Sequence, residues 1–102
     1  MNVELSVDHN IPEMTLSGNL TIANAEELKN KMMAGLEFEN ISIRLKDVES
    51  IDLAGVQVLL AYARSAKEKK QKTGFLTELP DEIRDILNSA GISQKLKSAF
   101  IE

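Results

Sequence analysis

A strand that runs through an acidic junction into a buried helix constrains this chain more than any other stretch. Ile41, Ile43 and Leu45 alternate with Ser42, Arg44 and Lys46, the period-two pattern of a strand with one buried face. Downstream, Ser50-Ile51-Asp52-Leu53-Ala54-Gly55 reads as a turn leading into Val56, Leu59, Leu60 and Ala63. Those four fall at i, i+3, i+4 and i+7, the stripe of a helix packed on a core. Asp52 suits the N-cap, where a carboxylate accepts backbone N–H bonds and faces the positive end of the helix dipole. Gly55 has no Cβ, which lets the first helical turn approach another backbone or a partner closely. Strand, loop and capped helix in this order make half of an α/β unit.

The flanking segments extend the pattern. Val3, Leu5 and Val7 alternate with polar residues, His9-Asn10-Ile11-Pro12 reads as a turn, and Met14 and Leu16 lie on a returning strand that Gly18-Asn19 closes. Residues 2–20 are therefore expected to form a β-hairpin. Asn24 with Glu27 three positions later resembles a capping box. Ala25, Leu28, Met32 and Leu36 then supply one helical face, with Gly35 near its end, while Met33 falls off the stripe. The second helix is expected from about Leu53 to about Gln71, broken by Thr73-Gly74, before a short buried strand Phe75-Leu76-Thr77. Pro80 opens a third helix carrying Ile83, Ile86, Leu87 and Ala90, ended by Gly91. Leu96, Phe100 and Ile101 fit a short terminal helix or a final strand. The expectation is one α/β domain over 1–102, with a mixed sheet of four to five strands and helices packed on it.

Composition excludes several classes of function. No cysteine is present, so disulfides and thiolate chemistry are out. A net charge of −4 argues against nonspecific nucleic-acid binding. The start lacks a basic segment followed by an apolar one, and no apolar run approaches the roughly 20 residues of a membrane span; a cytoplasmic protein is expected. His9 is the only histidine and reads as an exposed turn residue rather than a catalytic base. No Gly-x-Ser-x-Gly elbow or phosphate-cradling loop is found. Glu26, Glu27, Asp52 and Asp81 each read as helix-start charges rather than metal ligands, so neither catalysis nor a metal or cofactor is expected. The basic run Lys67-Glu68-Lys69-Lys70-Gln71-Lys72 reads as a solvated helix end, since aromatics interleaved with its lysines are lacking.

The junction residues carry a family resemblance. Asp52-Leu53-Ala54-Gly55-Val56 resembles the Asp-Ser-Ser/Thr-Gly-Leu/Val motif that opens a helix in STAS domains, the family of bacterial anti-sigma factor antagonists and of the cytoplasmic domains of sulfate transporters. Gly18-Asn19-Leu20-Thr21, Asn24-Ala25-Glu26-Glu27-Leu28, Val48-Glu49-Ser50-Ile51-Asp52 and the segment from Ile83 to Ile92 resemble further family segments in the same order. The resemblance implies the STAS fold and a non-enzymatic protein–protein interaction module of bacterial signal regulation. In phosphoregulated members the residue before the motif glycine is a serine or threonine that a partner kinase modifies. Here that position is Ala54, which has no hydroxyl, and Leu53 replaces the Ser/Thr before it.

The implied contact surface comprises Asn19, Thr21, Asn24, Asp52, Leu53, Ala54, Gly55 and Val56. Leu53 and Val56 would supply apolar contact, while Ala54 and Gly55 would permit close approach. Ser50 and Thr21 are the nearest alternative hydroxyls. Partners implied are an anti-sigma factor or kinase-like protein, or a chemosensory or two-component component. The alternative is a STAS subunit that binds and stabilises the ATPase of a lipid-transporting ABC system. Small-ligand sensing is a third class known in such domains, and a homodimer is compatible with all three.

Overall fold

The computed structural model describes residues 1–7 and 10–78, together with the helical, exposed positions Asp81 and Asp85. Expectations for His9, for the third helix from Pro80 to Gly91 and for the terminal segment lie outside the described residues.

Alternation of apolar and polar residues produces the sheet. β1 (Asn2–Ser6) pairs antiparallel with β2 (Glu13–Leu20), as the hairpin reading requires, with Val3 opposite Leu16 and Leu5 opposite Met14. β3 (Asn40–Ile51) lies parallel to β2, and β4 (Lys72–Glu78) lies parallel to β3. The order is β1-β2-β3-β4, a mixed four-stranded sheet. Its two parallel connections are helical crossovers, which parallel strands need because a tight turn cannot join them. The first contains α1 (Ala25–Met32) and the second α2 (Leu53–Glu68).

Met14, Leu16 and Leu20 of β2 and Ile41, Ile43, Leu45 and Val48 of β3 are buried in one cluster with Leu28 and Met32 of α1. Val56, Leu59, Tyr62, Ala63 and Ala66 of α2 complete it. Removing a large aliphatic side chain from water contributes about 1.5–3 kcal/mol, so this single cluster holds the helices to the sheet. The other sheet face keeps polar side chains partly in solvent, including an Arg44–Glu13 ion pair at 3.7 Å.

Several boundaries differ from the sequence reading. β2 does not close at Gly18-Asn19 but continues to Leu20, with Gly18 at φ 85° inside it. β3 runs to Ile51 rather than ending at residue 45, so Ser50-Ile51 is strand and not turn. Its pairing with β2 carries two register shifts around Gly18, and Asp47 takes φ 55° in the first. Asn24 makes no side-chain cap bond, because a 3-10 turn, Ile22–Asn24, precedes α1 and turns that side chain back toward β2. Glu27 pairs instead with Lys31 at 3.1 Å.

α2 stops at Glu68, short of Gln71. Lys70 adopts φ 60°, which ends the helix, and Thr73-Gly74 belongs to β4 rather than to a break. Gln71 is then drawn inside. Its amide donates to the carbonyls of Gly35 (2.7 Å) and Phe38 (2.8 Å), and its oxygen accepts from the Tyr62 and Thr73 hydroxyls (3.0 and 2.9 Å). Both donors and both lone pairs of the amide are used, which makes a buried glutamine tolerable. Leu76, expected in a buried strand, is 55% exposed because it points to the open sheet face.

Candidate functional site

The carboxyl ends of β2 and β3 lie side by side, with Asn19 opposite Ser50 and Leu20 opposite Ile51. The chain leaves β2 into the 3-10 turn and leaves β3 straight into α2, so both exits share one surface. Asp52 joins them. One carboxylate oxygen accepts from the Gly55 N–H at 3.1 Å, capping α2, and the other accepts from the Ile22 N–H at 2.9 Å. The Asp52 N–H in turn donates to the Leu20 carbonyl at 3.2 Å. These backbone donors, Ile22 first and Gly55 second, hold the Asp52 pKa below the usual carboxylate value, since they favour the charged form.

Gly55 shows why the motif needs a glycine. A Cβ at this position would run into the Leu20 carbonyl oxygen, with the Leu20 carbonyl carbon at 2.9 Å and its side chain at 3.2 Å. The close approach is therefore internal, helix against strand, rather than room left for a partner. Val56 is 2% exposed and belongs to the core, so it supplies no surface contact. The stripe that buries Val56 places it one turn away from the exposed side of the cap.

The polar residues form a second set of ties. Ser50 Oγ donates to Asn19 Oδ1 at 2.6 Å, and Asn24 Nδ2 donates to the Asn19 carbonyl at 2.9 Å. The Asn24 N–H donates to the Thr21 carbonyl at 2.9 Å. Asn19, Thr21, Asn24, Asp52, Leu53, Ala54 and Gly55 are thus brought to one place, with Ser50 beside them. Ala54 is partly exposed on the first turn of α2.

Two aliphatic side chains dominate what this surface offers to solvent. Leu53, the first residue of α2, is 63% exposed, and Ile22, whose N–H is held by Asp52, is 74% exposed. The sequence reading did not single out Ile22. Its signal was present: an apolar residue between Leu20 and Ala25 that fits neither the strand alternation nor the helical stripe. The positive end of α2 is already occupied by the Asp52 carboxylate, so this helix start is filled by the chain itself rather than left open to an anion. Among the described residues no cluster of His, Cys, Asp and Glu could hold a metal.

A four-stranded mixed sheet with both crossover helices on one face, and a glycine-tight, aspartate-capped helix start between parallel strands, defines a small α/β domain of STAS architecture. A family model described as the MlaB STAS domain matches residues 3–99, and the chain belongs to this family. No curated protein sequence matches the chain. Solved structures agree on the fold. The anti-sigma factor antagonist SpoIIAA in its unphosphorylated form superposes with a TM-score of 0.62 at 18% identity, covering 85% of this chain and 82% of that one. The protein TM1081, solved by NMR, gives 0.66 at 18% identity over 88% of this chain and 74% of that one. SLC26A9 gives 0.68 at 17% identity over 83% of this chain, which spans only 16% of that protein.

Proposed function

We propose that this chain is a non-enzymatic docking module of bacterial cytoplasmic signal regulation, binding a protein partner through the Asp52 junction without a phosphorylation switch at residue 54. The observation that carries the reading is the pair Ile22 and Leu53. Two large aliphatic side chains stand mostly in solvent beside one carboxylate, which accepts from the Ile22 N–H and, through the Gly55 N–H, caps the helix that Leu53 opens. Exposed apolar side chains held on a rigid frame suit an interface, because little entropy is lost on docking. Asn19, Thr21 and Asn24 form its polar rim, and Ala54, partly exposed next to Leu53, carries no hydroxyl to modify.

A second reading shares this surface. A STAS subunit that holds the ATPase of a lipid-transporting ABC system needs a standing contact, and long-lived interfaces are the more apolar ones. The aliphatic pair and the absent hydroxyl support it as well.

Affinity capture from the native host tests both readings, using wild type, Ala54→Glu and Leu53→Ser side by side. A partner held by wild type and lost by both folded variants supports the docking surface. A kinase-like or chemosensory partner then favours signalling, and a transport ATPase favours the second reading. A partner retained by both variants means that binding lies elsewhere and that the junction serves only the fold.

A further inference from the structure

The Asp52 junction constrains the chemistry of whatever docks on it. The two stretches that build it, residues 14–28 and 47–63, carry five acidic side chains, Glu26, Glu27, Asp47, Glu49 and Asp52, and no lysine, arginine or histidine. All 12 lysines and arginines lie elsewhere in the chain. Glu27 is paired with Lys31 at 3.1 Å. Among the described residues Glu26, Glu49 and Asp52 have no ion pair, and Glu26 and Glu49 are exposed.

Asp52 is the centre of this field. The Ile22 and Gly55 N–H groups, one on each carboxylate oxygen, hold it in the charged form. A carboxylate offers about four acceptor sites, so capacity remains beyond those two bonds. The bond to Ile22 is exposed, and the side chains of Ile22 and Leu53 stand mostly in solvent beside it. A partner that covers both aliphatic side chains also takes this charge out of water. An ionised group buried without a counter-charge is strongly unfavourable, and among the described residues no cation stands ready to pair with it.

Charge complementarity then selects the occupant. Nucleic acid and an anionic membrane surface share the sign of the junction and are repelled. A second copy meeting it through the same surface would set one acidic set against another. A protein face carrying cations satisfies the junction. Arginine suits it better than lysine, because its planar head is more weakly hydrated and its stem packs on aliphatic side chains.

Resting on the docking reading above, we infer that the partner presents a basic and apolar face to this junction. One arginine donates to the Asp52 carboxylate, apolar side chains cover Ile22 and Leu53, and further cations face Glu26 and Glu49.

The test titrates the isotope-labelled full chain with an octapeptide of alternating arginine and leucine, using alternating glutamate and leucine as control. Only the basic peptide should bind, more weakly as salt is raised, with amide NMR shifts concentrated at residues 19–26 and 49–57. The double variant Glu26→Gln, Glu49→Gln should weaken binding at least about threefold, as expected for two exposed ion pairs. Leu53→Ser should weaken it too, and both variants should keep the melting temperature of wild type. Binding reduced by Leu53→Ser but unchanged in the charge variant overturns the basic partner and leaves the docking surface standing. Shifts centred on other residues, with no effect of Leu53→Ser, overturn both. No binding, or equal binding of the acidic control, also overturns the basic partner, and capture with Leu53→Ser then decides the docking reading separately. Self-association of the free chain at low salt, lost in the charge variant, overturns it by giving the junction to the lysine run of another copy.

Discussion

Gly55→Ala isolates the contact on which the Asp52 junction depends. The added methyl meets the Leu20 carbonyl, which is backbone at the carboxyl end of β2, held by the Asp52 N–H, and cannot rotate away as a side chain would. Overpacking a core typically costs about 1–3 kcal/mol, and a backbone obstacle puts this site at the upper end. Relief by separating α2 from β2 stretches the Asp52 N–H bond to Leu20, now 3.2 Å, for roughly another 1 kcal/mol. Alanine's better helix propensity returns about 0.8–1 kcal/mol. The net loss is then ~2–3 kcal/mol, equivalent to a fall in Tm of ~8–24 °C for a domain of this size.

Urea titration should show a lower midpoint with the slope unchanged, as expected when stability rather than compactness is altered. Gly74→Ala is the internal control, because among the described residues its methyl would meet nothing closer than 3.9 Å. It should be neutral or slightly stabilising. If Gly55→Ala melts within about 0.5 kcal/mol of wild type, the close helix–strand contact is not what selects glycine, and the account of the junction fails.

Other perturbations follow from the same geometry. Asp52→Ala should destabilise the fold, because the Gly55 N–H loses its cap and the Ile22 N–H its carboxylate acceptor. Because the folded pKa of Asp52 is lowered, its contribution is present above the unfolded value of about 4 and drains away as pH falls through the folded value. Melting curves between pH 6 and 2 should therefore be flatter for the variant, and parallel curves would refute the linkage. Burial pushes the Tyr62 hydroxyl up to about 12, so the folded state resists ionisation and loses stability as pH rises from about 10 toward 12. Tyr62→Phe should reduce that alkaline loss, whereas Gln71→Leu, which removes four buried or part-buried hydrogen bonds made by one amide, should destabilise by ~2–4 kcal/mol near neutral pH. Ile22→Ser and Leu53→Ser should each change stability by less than about 0.5 kcal/mol yet weaken partner capture; large unfolding effects would place these side chains in the fold rather than on an interface.

Much of the architecture was legible because it rests on periodicity. The alternation in Ile41, Ile43 and Leu45, and the stripe from Val56 to Ala63, identify elements whose buried faces admit no other arrangement. The cap was legible too, since Asp52 and Gly55 have side chains, or lack them, for local reasons. What was missed depends on distant neighbours. Asn24 looked like a cap, but the Asn19 carbonyl, five residues upstream and across a turn, competes for its side chain and wins. Gln71 looked solvated at the end of a lysine run, yet Gly35, Phe38 and Tyr62 provide a ready-made pocket for its amide. Gly55 suggested an opening toward a partner, and only the position of Leu20 shows that the space is already taken. Ile22 escaped notice because it belongs to no periodic pattern, which is also why it is left on the surface.

The two register shifts between β2 and β3 have a consequence for how this family can change length. Between Leu45 and Ile51, β3 spends two more residues than the β2 segment beside it. Each extra residue swaps which face the following side chains point to, and the second swap cancels the first. The stretch thus behaves like a reading frame of period two. Removing Asp47 alone should turn Ile51 outward and Asp52 inward, detaching the cap from Ile22. Removing Asp47 and Glu49 together should restore the phase, so the larger deletion should melt higher than the smaller one. Insertions and deletions here are expected to persist in pairs, which makes strand-length differences among relatives a record of a constraint on the cap rather than on the strand itself.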